Sequence, residues 1–393
     1  MSVQTVPNPQ EVGGPIPQNE VNALEQPEAV RDERFYYASQ TELVWWRFKK
    51  HKIAMVASVI LILLYLSAIF ANFVAPYSTD ARWEGRQQEP PTTIHFYRPG
   101  VGITGPFIYP VSRKVDPKTF QFKFIPDTSK PIPIQFFAHG ESYKFLGLIE
   151  SDIHLFGTGL GNEPVHLFGT DDLGRDLFSR TFFGAQVSLS IGLVGVLVSF
   201  LIGVSLGGLS GYLGGIVDEV IQRMIDFLLS IPTLPIWMAL SAALPRNWSV
   251  IQTYFAITMI LSVIGWAGLA RVVRGKLLQL REEDYALAAQ AAGASKWRII
   301  TRHLLPGFTS HLIVSITVSI PGVILGETAL SFIGLGMQPP AVSWGTLLQD
   351  AQNIVAVAEQ QWLMIPALFV IATVLLFNFV GDGLRDAADP YSR

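Results

Sequence analysis

Residues Glu283–Gly307 read EDYALAAQAAGASKWRIITRHLLPG, a run rich in small and basic residues between two long hydrophobic stretches. The pattern predicts two short helices. Glu282, Glu283 and Asp284 open the first, where negative charge suits the positive end of a helix dipole. Gly293 breaks it, as glycine does past a helix C-terminus. Ser295 caps the second, which runs through Trp297 and Ile300 to Leu304 and stops at Pro306. Ala286, Ala288, Ala289, Ala291 and Ala292 are expected to leave a nearly bare face that a partner backbone can approach closely. A loop between membrane helices is rarely so regular unless something docks on it. A DNA-reading helix-turn-helix has the same ingredients but needs a third helix and a soluble core, which this setting denies it. An amphipathic loop lying on lipid headgroups is the other reading.

Composition agrees with a membrane setting. The chain is 50% hydrophobic and only 15% charged, against about a quarter charged in soluble domains. Its net charge of −3 argues against nucleic acid or any other polyanionic partner. Having no cysteine, it forms neither disulfides nor a thiolate metal site. The first 45 residues, rich in Pro, Gln and Glu, read as a disordered cytoplasmic tail.

A bilayer core about 30 Å thick needs roughly 20 apolar residues per helix. Six stretches qualify, at about 53–75, 185–210, 220–244, 251–272, 308–334 and 362–381. Pro232 and Pro235 interrupt the third, with Asp226 near its start, and a kinked helix is expected there. Arg47, Lys49, Lys50, His51 and Lys52 precede the first span and place the N-terminus in the cytoplasm. Six crossings return the C-terminus, with Arg385 and Arg393, to the same side. The connection between spans four and five is basic, whereas that between five and six holds no Lys or Arg, as expected of cytoplasmic and periplasmic loops.

Residues 76–170 depart from this plan. They are polar and proline-rich, with alternating stretches at Thr119–Phe124 and Ile132–Phe137 that read as short strands of a β-rich extracytoplasmic insert. His-Leu-Phe-Gly-Thr occurs at His154–Thr158 and again at His166–Thr170, which suggests a duplicated turn or strand edge. No acidic or thiol partner sits at helpful spacing from either histidine, so structural roles are favoured and no metal is expected. No phosphate-binding G-x-x-x-x-G-K-[ST], no H-E-x-x-H and no G-x-S-x-G is present, so no catalytic residues are assigned.

Glu283–Gly307 resembles the coupling loop of bacterial ABC importer permeases, with Ala288, Ala289, Gly293, Leu305 and Pro306 at matching places. Leu287 stands where that motif has its glutamate, and His303 where it has an aliphatic residue. Phe168–Arg180 (FGTDDLGRDLFSR), Glu327–Gly345 (ETALSFIGLGMQPPAVSWG) and Gly381–Pro390 (GDGLRDAADP) are similar to motifs of the dipeptide and oligopeptide branch. The likeness runs from about residue 45 to the end, the insert excepted, and favours the second of the branch's two paired permeases.

The resemblance implies an all-α polytopic fold of six membrane helices, of the type I importer kind, in the bacterial inner membrane. It implies half of a pore for peptides, completed by a homologous permease as a heterodimer. Two ATPase subunits would carry the ATP and magnesium, this chain binding no cofactor, and a periplasmic binding protein would deliver the cargo. It assigns ATPase coupling to Glu283, Asp284, Ala288, Ala289, Gly293, Ala294, Ser295, Arg302, Leu305 and Pro306 within a loop at 281–306 of the 171–393 core. Asp171, Asp172, Arg175 and Asp176 are expected at the periplasmic mouth, as a helix cap or a docking contact. Glu327 and Asp226, as carboxylates close to membrane spans, are candidates for the pore or gate, with structural hydrogen bonding the alternative. Oligosaccharides or another small solute are alternative cargoes. A secondary transporter is a rival mechanism, but it predicts midplane titratable residues and internal repeats, and neither is found.

Overall fold

A computed structural model describes residues 40–388 except 116, 118–121, 146, 160, 162 and 354–357. Most of the expected tail and Arg393 lie outside the described residues. The tail's last residues do not follow the expectation, since helix α1 begins at Gln40 and ends at Lys50. Its apolar Val44 and Phe48 pack beside Ala387 near the chain's end, which is enough to order it. His51 separates α1 from α2 (Lys52–Ile69) and caps the latter by accepting the Ala54 N–H at 3.2 Å.

Among the described residues, five helical runs are long and apolar enough to cross a membrane. They are α2, α4 (Leu177–Leu213), α7 (Val250–Leu280), the run Lys296–Phe332 and the run Gln361–Ala388. Between α2 and α4 the described residues form the short α3 (Ala71–Val74) and seven strands.

The third span is not the kinked helix expected. It is two helices, α5 (Gly215–Ser230) and α6 (Thr233–Ala242), meeting at 88°. Steric crowding from Pro232 drives Ile231 into extended backbone, with φ −93° and ψ 131°. A single proline inside a helix bends it, but an extended residue ends it.

The strands are β1 (His95–Arg98), β2 (Gly102–Ile108), β3 (Val111–Val115), β4 (Phe122–Pro126), β5 (Ile132–Pro133), β6 (Gln135–Phe145) and β7 (Ile149–Gly157). They form a three-stranded β1-β2-β5 sheet and two antiparallel hairpins, β3-β4 and β6-β7. The alternation at Ile132–Phe137 falls on β5 and the start of β6, while residues 119–121 lie outside the described residues. The two His-Leu-Phe-Gly-Thr copies differ in structure, because the first mostly lies on β7 and the second forms a turn before α4.

The helices pack through small residues. An added Cβ at Gly207 on α4 would lie 2.5 Å from the Ala270 carbonyl oxygen of α7, and one at Gly211 would lie 2.8 Å from that of Arg274. Glycine therefore lets these backbones touch. Ser199 donates to the Ser262 carbonyl and Ser262 to the Gly195 carbonyl, both at 3.0 Å, adding polar ties across the same seam. Leu189, Ile191, Ile257, Leu261, Ile324 and Trp344 form the main core.

Candidate functional site

The segment between α7 and α10 (Thr309–Phe332) is built as a capped, anchored unit. Its first helix, α8, spans Asp284–Ala291, with Glu283 at the N-cap position, so the acidic run straddles the helix start rather than lying within it. Glu282 stays outside it and pairs with Arg281. Gly293 takes φ +80°, the left-handed geometry that ends a helix without strain only in glycine. The Ala294 N–H then reaches back to the Ala289 carbonyl (3.1 Å) and the Gly293 N–H to that of Gln290 (2.9 Å), satisfying carbonyls the helix would orphan. Ser295 accepts the Arg298 N–H at 3.3 Å and so caps α9 (Lys296–Arg298).

Pro306 does not stop that second helix. The chain passes through a π segment, Ile299–Leu304, and a 3-10 turn, Leu305–Phe308, into α10. Proline stands near the start of the 3-10 turn, where its missing N–H breaks no ladder bond.

The alanines do not form one bare face. Ala286 is buried with Val273, Leu277, Ile299, Leu304 and Phe308, and Ala289 and Ala294 pack at the margin of that cluster. Ala288, Ala291, Ala292, Gly293 and Ser295 are exposed, as are Glu283, Asp284, Arg302 and Pro306, while Leu305 is half-buried. The outward surface also carries Tyr285, Leu287 and Trp297, the last 64% exposed. Three large apolar side chains exposed on an otherwise polar segment make it a candidate interaction surface.

Near this end, Arg274 of α7 grips Asp218 of α5 through two 2.5 Å hydrogen bonds. Asp226 also lies on α5, exposed and 2.7 Å from Arg271. That places it in a surface ion pair.

The acidic motif before α4 forms a tight knot. Asp176 caps α4 by accepting the Ser179 N–H at 2.7 Å, and its other oxygen meets His166 Nδ1 at 3.1 Å. Thus His166 does have an acidic partner, ten residues away and delivered by the turn. Asp171 accepts the backbone N–H groups of Leu173 and Arg175 at 2.9 Å, the Arg175 side chain at 2.7 Å, and the buried Arg180 guanidinium. Asp172 reaches outward to Gln88 at 2.8 Å. Asp350 joins the knot 3.7 Å from Arg180, and burial raises its carboxyl above the usual range. Glu89, beside Arg86, is raised for the same reason.

Glu327 is fully buried. It accepts hydrogen bonds from Ser188 Oγ of α4 (2.9 Å) and Ser331 Oγ one turn on (2.8 Å). Ser188 in turn accepts the Trp344 N–H at the start of α11 (Trp344–Gln349), and Ser331 accepts that of Met337. Glu327 therefore ties α4, α10 and α11 together within this subunit. Sequence reading gave no role to Ser188 or Trp344, which bond to groups far along the chain, nor to Arg180 within the quoted Phe168–Arg180 motif. It also missed Gly203, Gly207 and Gly211, whose four-residue spacing was visible. Among the described residues no group of three His, Asp or Glu is placed to hold a metal.

Comparison with known proteins decides the family. Residues 203–393 match the binding-protein-dependent transport system inner membrane component, and residues 39–94 match the N-terminal TM domain of oligopeptide transport permease C. The dipeptide transport system permease protein DppC of Bacillus subtilis is 32% identical over 355 residues, covering 90% of this chain and 87% of that one. The chain belongs to the dipeptide and oligopeptide ABC permeases. DppC of Lactococcus lactis is 34% identical over 88% of this permease and 89% of its own length. The oligopeptide transport system permease protein OppC of Bacillus subtilis is 41% identical over 58% of this permease and 72% of its own. A solved structure of the MetNI methionine ABC transporter in an inward-facing conformation superposes with a TM-score of 0.41 at 18% identity, over 52% of this permease and 94% of that chain. The permease is thus a multi-pass inner membrane protein. All seven strands lie outside both family matches.

Proposed function

We propose that this permease is one of two paired pore subunits of an ATP-driven importer of dipeptides or oligopeptides, supplied by a periplasmic binding protein. The observation that carries this reading is the segment 283–307, whose inner face is fixed to α7 and α10 while Tyr285, Leu287 and Trp297 face outward. An ATPase subunit seats on that outer face in the cytoplasm, and both termini lie on the same side. The chain itself hydrolyses nothing. Its cognate ATPases supply the ATP and magnesium, and their closure moves the ends of α7 and α10 together. The names of its relatives support peptides as cargo.

The test is ATP hydrolysis by the reconstituted complex with its binding protein, offered oligopeptides and then oligosaccharides. Stimulation by peptides is the expected result, and stimulation by sugars alone would overturn the cargo. In the same complex Gly293→Val should abolish stimulation while membrane insertion persists, because a β-branched residue at φ +80° is strained by about 1–3 kcal/mol. Unchanged stimulation in that variant would remove the docking role.

A further inference from the structure

The β6-β7 hairpin ends in an apolar tip that nothing among the described residues covers. Leu148 is 85% exposed and Ile149, opposite Phe145 in the register, is 64% exposed. We propose that this hairpin is a foot resting in the lipid leaflet at the far end of α2, with its tip at the boundary of headgroups and acyl chains. The proposal requires that α2 crosses the membrane with this face on lipid rather than on a paired subunit, and is independent of what is transported.

The position follows from α2. Its 18 residues span about 27 Å, close to a hydrocarbon thickness of about 30 Å. Lys49, Lys50 and Lys52 mark one boundary, so Phe70, just past the helix end, stands at the other. Ile62, Leu66 and Ile69 are exposed along α2, an apolar face suited to lipid. The Phe145 ring stacks on Phe70 with centroids 5.1 Å apart and planes within 19°. The tip therefore continues a lipid-facing surface at the depth where the bilayer ends. His154 Nδ1, 2.6 Å from the Ala75 carbonyl oxygen, and the contact between Phe137 and Phe73 hold the hairpin to α3 and its end.

The tip's own chemistry is graded for that boundary. Two N–H groups of the turn are paired internally, that of Gly147 donating to the Lys144 carbonyl (3.2 Å) and that of Leu148 to that of Phe145 (2.9 Å). Backbone entering a water-poor layer has to be paired in this way. One rung back, Lys144 and Glu150 face each other, 3.4 Å apart and exposed, a charged collar suited to headgroups.

The permease has no cysteine, so a single one can be labelled cleanly. Leu148→Cys, coupled to an environment-sensitive fluorophore, is placed in full-length chain in phosphatidylethanolamine and phosphatidylglycerol nanodiscs. Lipids with a nitroxide high on the acyl chain should cut its emission about twofold. Such quenching, with or without access to iodide, supports the foot. Quenching by iodide alone would place the tip in water. Protection from both quenchers, in nanodiscs or in the assembled complex, would place it against protein. Either result overturns the proposal. Ile149→Cys repeats the reading at the neighbouring position, and since both sites are exposed neither substitution disturbs the core.

Discussion

Gly207→Ala and Gly208→Ala, neighbours on one helix, should move stability in opposite directions. At Gly207 the new Cβ would lie 2.5 Å from the Ala270 carbonyl oxygen, 2.9 Å from its Cα and 3.0 Å from its carbonyl carbon. All three are backbone atoms, which cannot swing aside as a side chain can. Restoring ordinary contact requires α4 and α7 to part by about 1 Å, and such overpacking costs about 1–3 kcal/mol. At Gly208 the nearest atoms are Leu277 Cδ1 at 3.8 Å and Ile300 Cγ2 at 3.9 Å, ordinary contacts. Only the helix preference of alanine acts there, worth up to about 1 kcal/mol in favour. For a chain of this length each kcal/mol moves the midpoint by little more than about 1 °C, so the two variants should melt about 1–5 °C apart, Gly208→Ala higher. The assay is loss of monodisperse protein on heating in detergent, read by size exclusion. Equal midpoints, or a more stable Gly207→Ala, would refute the backbone contact between α4 and α7.

Three further outcomes are expected. Trp297→Ala should weaken binding of the cognate ATPase subunit about tenfold or more, as loss of an exposed aromatic anchor does, measured by titration in nanodiscs. Glu327→Ala should destabilise the chain by about 1–3 kcal/mol, since two serine hydroxyls lose their acceptor in a buried site, and Glu327→Gln should recover part of that in the same melting assay. Asp350 and Glu89 both have carboxyls raised by burial, so the folded state takes up their protons before the unfolded chain does. Their contribution to stability is present below the ordinary carboxylate range and fades as pH rises through the raised value. Asp350→Asn should therefore flatten the pH dependence of the melting midpoint in mildly acidic buffer, and an unchanged profile would refute its role there.

The spans were legible because about 20 consecutive apolar residues have few other uses. The cap at Ser295 and the break at Gly293 were legible for a similar reason, being local chemistry with a fixed spacing. The 88° break was only half legible. Pro232 announced a disturbance, but whether Ile231 stayed helical depended on its surroundings. The ties of Glu327 were hidden altogether, since Ser188 lies 139 residues away and a serine in an apolar run has no distinctive pattern. Alanine's role in the segment 283–307 was misjudged for a related reason. Small residues serve equally to admit a foreign backbone and to seat against their own, and Ala286 does the second.

The helical passage from the docking segment into the membrane has a mechanical consequence. Lys296–Phe332 is an unbroken run of 37 residues, about 55 Å long at the usual rise. A tilt of about 5° at its docked end sweeps the other end through about 5 Å, roughly the width of a side chain. Because the π and 3-10 segments replace a loop, there is little slack to absorb that stroke before it reaches Glu327. If an ATPase seats on this segment as proposed, small strokes there would reach the far end of the run amplified rather than damped.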